Sequence, residues 1–190
     1  NQIGGNDAIQ NTSTQQPIIV DTGNLVMENG KPSLFFNGNN VLRSDFGKGT
    51  ANQKSLFYVS NTKQGGDSFG CIVDNFDEDN QSQIYSGKSQ SNYFILTKNI
   101  GALSNYIDRQ MLVSATMDNS GNLSGYIDSN LKLQSQKNIG YNGISIGAIR
   151  ERSVVFYSKS NIQEVVYYLS NQQQNRELIQ KNINNYYGIY

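Results

Sequence analysis

The 190-residue sequence has no histidine and no tryptophan, one cysteine and two prolines, and its charges balance at 15 basic against 15 acidic residues. Each absence excludes something. Without histidine, Ser–His and Cys–His nucleophilic catalysis and histidine-built zinc sites are out in their usual forms. A single thiol, Cys71, allows no internal disulfide and no cysteine-built metal site; its apolar setting, Phe69-Gly70-Cys71-Ile72-Val73, reads as a buried inert thiol. Zero net charge, with the charges dispersed, leaves no footprint for nucleic acid or an anionic membrane. No apolar run approaches the roughly 20 residues a bilayer-spanning helix needs, and no charged-then-apolar signal stretch follows Asn1.

What is present is amide and aromatic. Hydrophobic content is 36%, and 26 Asn and 17 Gln fill the shortfall. Disorder needs high net charge and few aromatics, whereas this chain has 12 Tyr and 8 Phe at neutral balance, so it folds. Its length suits one domain with a real core and is short for two.

Short apolar or alternating segments recur between Asn, Gly, Ser and Asp: 34–36, 56–59, 69–73, 93–97, 111–117, 123–128, 144–149, 154–157 and 162–169. Each has strand length and is rich in β-branched and aromatic residues. Met111, Val113, Ala115 and Met117 alternate with Leu112, Ser114 and Thr116, a period of two. Asp118-Asn119-Ser120-Gly121-Asn122 then supplies residues that tolerate a left-handed backbone, which predicts a hairpin returning through 123–128. Ser129-Asn130 predicts a second tight reversal into 131–133. Many short antiparallel strands point to a two-sheet sandwich. One segment differs. Ser170 and Gln173 have capping-box spacing, and Ile179, Ile183, Tyr186 and Tyr187 share one helical face up to Gly188, predicting a C-terminal helix over about 171–187.

The closing text is the most specific: Ser160-Asn161-Ile162-Gln163-Glu164-Val165-Val166-Tyr167-Tyr168, then Asn175-Arg176-Glu177, then Ile183-Asn184-Asn185-Tyr186-Tyr187-Gly188-Ile189-Tyr190. It resembles the ending of laminin-G-like, concanavalin A-like jelly-roll modules of Bacteroidetes surface proteins and their phages. Asn6-Asp7-Ala8 with Gln10 and Gln16-Pro17, and Glu28-Asn29-Gly30-Lys31-Pro32 with Phe35-Phe36-Asn37-Gly38, resemble family signatures in the same order. The resemblance covers nearly the whole chain. It implies an all-β jelly roll of one domain over 1–190, with a first strand expected upstream of Asn1, and hence a fragment of a longer protein. It also implies an extracellular setting, on a virion or a bacterial cell surface.

Concanavalin A-like sandwiches also host glycoside hydrolysis, which needs two carboxylates about 5–9 Å apart across a bond. The common E-x-D-x-x-E strand motif is absent: none of Glu28, Glu78, Glu151, Glu164 and Glu177 has Asp two places later. In a second likeness, to the arabinofuranosidase B type of sandwich, the acidic catalytic positions fall near Ser82 and Ile149, neither acidic. The expectation is a protein that binds rather than catalyses.

Three features could form a site. Asp74, Asp77 and Asp79, in the run 74–80, gather oxygens that suit calcium, for which laminin-G-like domains often have a place; the plain alternative is a solvated acidic turn. Tyr85 and Tyr93, among Asn and Gln, suit glycan stacking and hydrogen bonding; the alternative is cross-strand packing. Arg150 and Arg152 could meet an acidic sugar or a partner subunit, or sit at a charged hairpin tip. Glu164, inside an apolar strand, must find a partner or face outward. The expected function is a carbohydrate-binding module contacting a host-surface glycan. The rivals are a structural or oligomerising domain among virion subunits or copies of itself, and a divergent glycosidase. Neither nucleic acid nor membrane insertion is expected.

Overall fold

The computed structural model describes residues 7–46, 53–65, 69–74, 85–89, 92–95, 98–102, 105–136, 143–151 and 154–190. These form two large sheets and one helix. The six-stranded sheet runs β14 (Asn130–Gln136), β13 (Asn122–Ile127), β12 (Gln110–Met117), β7 (Lys54–Thr62), β18 (Lys159–Tyr168), β5 (Leu34–Asn37). The eight-stranded sheet runs β11 (Lys98–Ala102), β10 (Asn92–Ile95), β9 (Tyr85–Ser89), β8 (Phe69–Asp74), β15 (Ile144–Ile146), β6 (Leu42–Ser44), with the hairpin of β16 (Ala148–Glu151) and β17 (Val154–Tyr157) joined to β8. Two small hairpins, β1 (Val20–Asp21) with β2 (Asn24–Leu25) and β3 (Met27–Glu28) with β4 (Lys31–Pro32), precede β5. The class is all-β, a two-sheet antiparallel sandwich closed by one C-terminal helix. No helix among the described residues is long and apolar enough to cross a membrane.

Alternation along the central strands explains the layering. On β12, Met111, Val113, Ala115 and Met117 enter the core between the sheets, while Leu112 enters a second apolar cluster on the outer face. On β7, Leu56 and Tyr58 point inward, and Phe57 and Val59 outward. All eight residues of β12 are buried, because both faces of the sheet are covered. On β18 the inward residues are Ile162, Val165 and Tyr167, an odd step that a simple strand cannot provide. A β-bulge resolves it: Ile162 pairs with Ser60 and Glu164 with Val59, leaving Gln163 as the extra residue.

The helix α1 (Arg176–Tyr187) covers the outer face. Ile183 is buried there with Phe57, Val59 and Leu112, and Ile179 and Tyr187 pack against them. Gly188 closes it in the left-handed conformation, its N–H donating to the Asn184 carbonyl at 2.7 Å. The helix starts five residues later than the sequence predicts. The capping-box side chains go elsewhere: the Ser170 hydroxyl accepts from Gln172 Nε2 at 2.6 Å, and Gln173 Nε2 donates to the Tyr126 hydroxyl at 2.9 Å, while Ser55 donates to the Ser170 carbonyl at 3.0 Å and accepts from the Gln172 N–H at 2.8 Å. Tyr186, placed by periodicity on the packed face, is 57% exposed.

The β12–β13 hairpin turns where the sequence places it, with both the Ser120 and Asn122 N–H groups donating to Asp118 Oδ1 at 2.9 Å. The next reversal sits one residue earlier than expected, at Asp128 and Ser129, both left-handed at φ 48° and 65°. The Asp128 carboxylate also accepts from Arg109 and from the Leu112 N–H, which holds it in the turn.

Candidate functional site

Of the side chains that the sequence offers for a site, those of Tyr93 and Asp74 are described. Tyr93 is fully buried, its ring centroid 5.0 Å from that of Tyr106. Its hydroxyl lies toward Tyr58 and Thr62, and burial pushes its pKa up. A ring inside the sandwich cannot stack on a sugar, so Tyr93 belongs to the core. Tyr85 lies on β9 as the register partner of Asp74, and Arg150 on β16 opposite Val155, so the ladders bring neither beside the other. Arg152, Asp77 and Asp79 lie outside the described residues, as do Ser82 and the rest of the acidic run after Asp74.

Asp74 ends β8 and is fully buried. Through Ser145 it shares a row with Arg43, since Ser145 pairs with both. Calcium wants six to eight oxygens, and an arginine in the same row opposes a cation. Among the described residues no group of three potential ligands gathers for a metal; Asp77 and Asp79, the other two members of the acidic set, lie outside them.

A different constellation is present on the outer face of the six-stranded sheet. Two-residue steps carry that face from Phe57 and Val59 to Asn61 on β7, and from Leu112 back to Gln110 on β12. Asn161 on β18 is the direct register partner of Asn61. The bulge residue Gln163 joins them. Above this floor folds the β3–β4 hairpin, turned by Asn29 and Gly30 at φ 47° and 72°. Its Glu28 carboxylate accepts from Asn61 Nδ2 at 2.8 Å and from Asn161 Nδ2, and pairs with Lys63 Nζ at 3.1 Å. Gln163 Nε2 donates to the Glu28 carbonyl at 2.9 Å, and its Oε1 accepts from Gln110. Asn29 Nδ2 donates to Gln110 Oε1 at 2.6 Å. Lys63 also reaches Asp108 at 3.8 Å, whose side chain is 62% exposed and forms the rim.

The electrostatics follow from these partners. Burial raises the Glu28 pKa, but the two amides and Lys63 outweigh it and hold the group below its usual value, as a carboxylate. Further along the same face, burial pushes Glu164 up, and the Tyr187 hydroxyl offsets it only in part. Tyr187 itself is pushed up to about 12 by burial and by the Glu164 charge. From the hairpin's own β4, Lys31 Nζ stands 4.1 Å over the exposed Tyr186 ring. One atom is unfinished: Asn61 is 3% exposed, and its Oδ1 accepts no hydrogen bond among the described residues. A buried acceptor beside a carboxylate calls for a donor beyond those of the described residues.

No family model matches the chain, and no curated protein matches it. Solved structures do. Trypanosoma rangeli sialidase in complex with sialic acid superposes with a TM-score of 0.62 at 14% identity, over 80% of this chain and 28% of the sialidase. Domain 4 of AbnA, a GH43 extracellular arabinanase from Geobacillus stearothermophilus, in complex with arabinotriose, gives 0.59 at 12%, over 86% of this chain and 79% of that one. The binding domain of Paraclostridial Mosquitocidal Protein 1 gives 0.61 at 11%, over 83% and 45%. The chain therefore spans less than half of two of these three proteins. Identities this low show a shared fold and nothing finer.

Proposed function

We propose that the protein is a non-catalytic glycan-recognition module of the laminin-G-like, concanavalin A-like kind, displayed on a phage virion or a bacterial surface. The observation that carries this reading is the amide–carboxylate cluster, in which Glu28, Asn61, Asn161 and Gln163 converge and the Asn61 acceptor is left over. Amides offer a donor and an acceptor from one planar group, and a carboxylate gives charge-assisted bonds to hydroxyls. Such groups read sugar hydroxyls. The shared fold, found in a domain complexed with arabinotriose and in the binding domain of a mosquitocidal protein, supports the same reading.

Non-catalysis is supported by the missing histidine and by the state of the acids. Glu28 and Glu164 share a face with opposite shifts, the pattern an acid–base pair needs. Gln163, however, is tied on both sides of that gap: its side chain to the Glu28 carbonyl and to Gln110, its own carbonyl to the Tyr187 hydroxyl at 3.4 Å. A substrate bond would have to displace it. A structural or oligomerising role is the second reading, drawn from the exposed apolar side chains of Ile19, Val20, Leu25 and Met27 beside one another in the chain.

A glycan array with the protein, run with and without chelator, tests the proposal. Binding to host-derived polysaccharide that persists with chelator and disappears in Asn61→Leu is expected. Silence across the array overturns it, and release of reducing sugar overturns the non-catalytic part. Sedimentation as a stable oligomer that Val20→Lys dissociates would favour the second reading.

A further inference from the structure

The charges around the cluster narrow the ligand class. Lys63 is shared between Glu28 at 3.1 Å and Asp108 at 3.8 Å. Arg109, next in the chain, is paired with Asp128 across the β13–β14 turn. Lys31 is held over the Tyr186 ring. Lys159 shares the outward side of β18, but its side chain turns to the loop at Gly65. Of the described cations bordering the cluster, three are engaged and the fourth points away. Two acids, Glu28 and Asp108, face one base, and the more exposed of them is Asp108 on the rim.

We infer that the ligand of this site is an uncharged sugar, and that the site rejects sugars carrying a carboxylate. The inference rests on the glycan reading above. Hydroxyls of a neutral sugar donate to Asp108, Glu28 and Asn61 Oδ1 and accept from Asn29 and Lys63. The carboxylate of a sialic or uronic acid finds no bidentate arginine and approaches a rim that is itself anionic. Discrimination then comes from the repulsive element as much as from the attractive one. Of the basic pair noted in the sequence, Arg150 lies on β16 of the other large sheet, and Arg152 is outside the described residues.

Matched oligosaccharide pairs provide the test: lactose against sialyllactose, and a glucose-terminated chain against its glucuronate-terminated counterpart, titrated by calorimetry at low and moderate salt. The neutral member of each pair is expected to bind at least tenfold more tightly, with little dependence on salt. Asp108→Asn keeps a residue that tolerates the left-handed backbone found there, φ 53°, and should narrow the neutral-to-acidic ratio at least threefold. Equal or tighter binding of the acidic member, weakened by salt, overturns the class assignment and leaves glycan recognition standing. If neither member of any pair binds, the glycan reading falls and this inference falls with it.

Discussion

Glu28 and Glu164 carry the same group on the same face of one sheet, yet their neighbours move them in opposite directions. The Glu28 pKa is lower in the folded than in the unfolded chain, so its contribution is present above its ordinary value of 4.5 and is lost as pH falls through the folded value. Glu164 is raised, so the folded state holds its proton more tightly, and stability declines as pH climbs from 4.5 through the folded value. Glu28→Gln should therefore destabilise at pH 7, by on the order of 1–3 kcal/mol, because an NH2 would face donor groups of Asn61, Asn161 or Lys63. It should also flatten the acid limb of a Tm-against-pH curve. Glu164→Gln should raise Tm at pH 7 and leave that limb intact. The same sign for both variants would contradict the assignment. At this scale the sequence was a weak guide. Tyr93 looked like a stacking ring because aromatic residues among amides look alike inside and outside a sandwich; only the register of β10 against β9 and β11 sends it inward. Asn61 ends an apolar strand and Asn161 opens another, and nothing local says that they face each other across a ladder.

Among the elements, the helix divides most clearly into what was legible and what was not. Its packed face follows from spacing at 179, 183 and 187, and its end from Gly188. Its start does not, because Ser55, Tyr126 and Thr116, all distant in sequence, bond the residues that would have capped it. Ile183→Ala should cost about 2–4 kcal/mol in urea unfolding, as for other buried aliphatic truncations. Tyr186→Ala should cost less than about 1 kcal/mol, the worth of an exposed cation–aromatic contact. Comparable losses would place Tyr186 on the packed face after all. Gly147 joins β15 to β16 at φ 86°, and a Cβ there would come within 2.0 Å of the Phe36 ring. Gly147→Ala should thus be among the most damaging single changes, seen as loss of soluble protein or a large drop in Tm. The bulge on β18 was not legible in the sequence, because Ile162, Val165 and Val166 are all apolar and only the ladder settles which face inward; it is this bulge that turns Gln163 toward the hairpin.

For the whole molecule, the sandwich was readable because alternation and turn residues are local signals, and the strands predicted at 34–36, 56–59, 111–117 and 162–169 lie within β5, β7, β12 and β18 or overrun them by one residue. The cluster was not readable, since it gathers Glu28, Asn61, Gln110, Asn161 and Gln163 from four separate segments that only the completed sheet brings together. The central claim is that an uncatalysed sugar contact happens at that cluster. It is tested most directly by following the Asn and Gln side-chain amide signals in a 15N NMR titration with a neutral oligosaccharide selected on the array. Shifts concentrated at Asn29, Asn61, Gln110, Asn161 and Gln163, with the sugar recovered intact, are the predicted result. Absence of shifts there, with changes instead around Ser145 and Asp74 on the eight-stranded sheet, would contradict it.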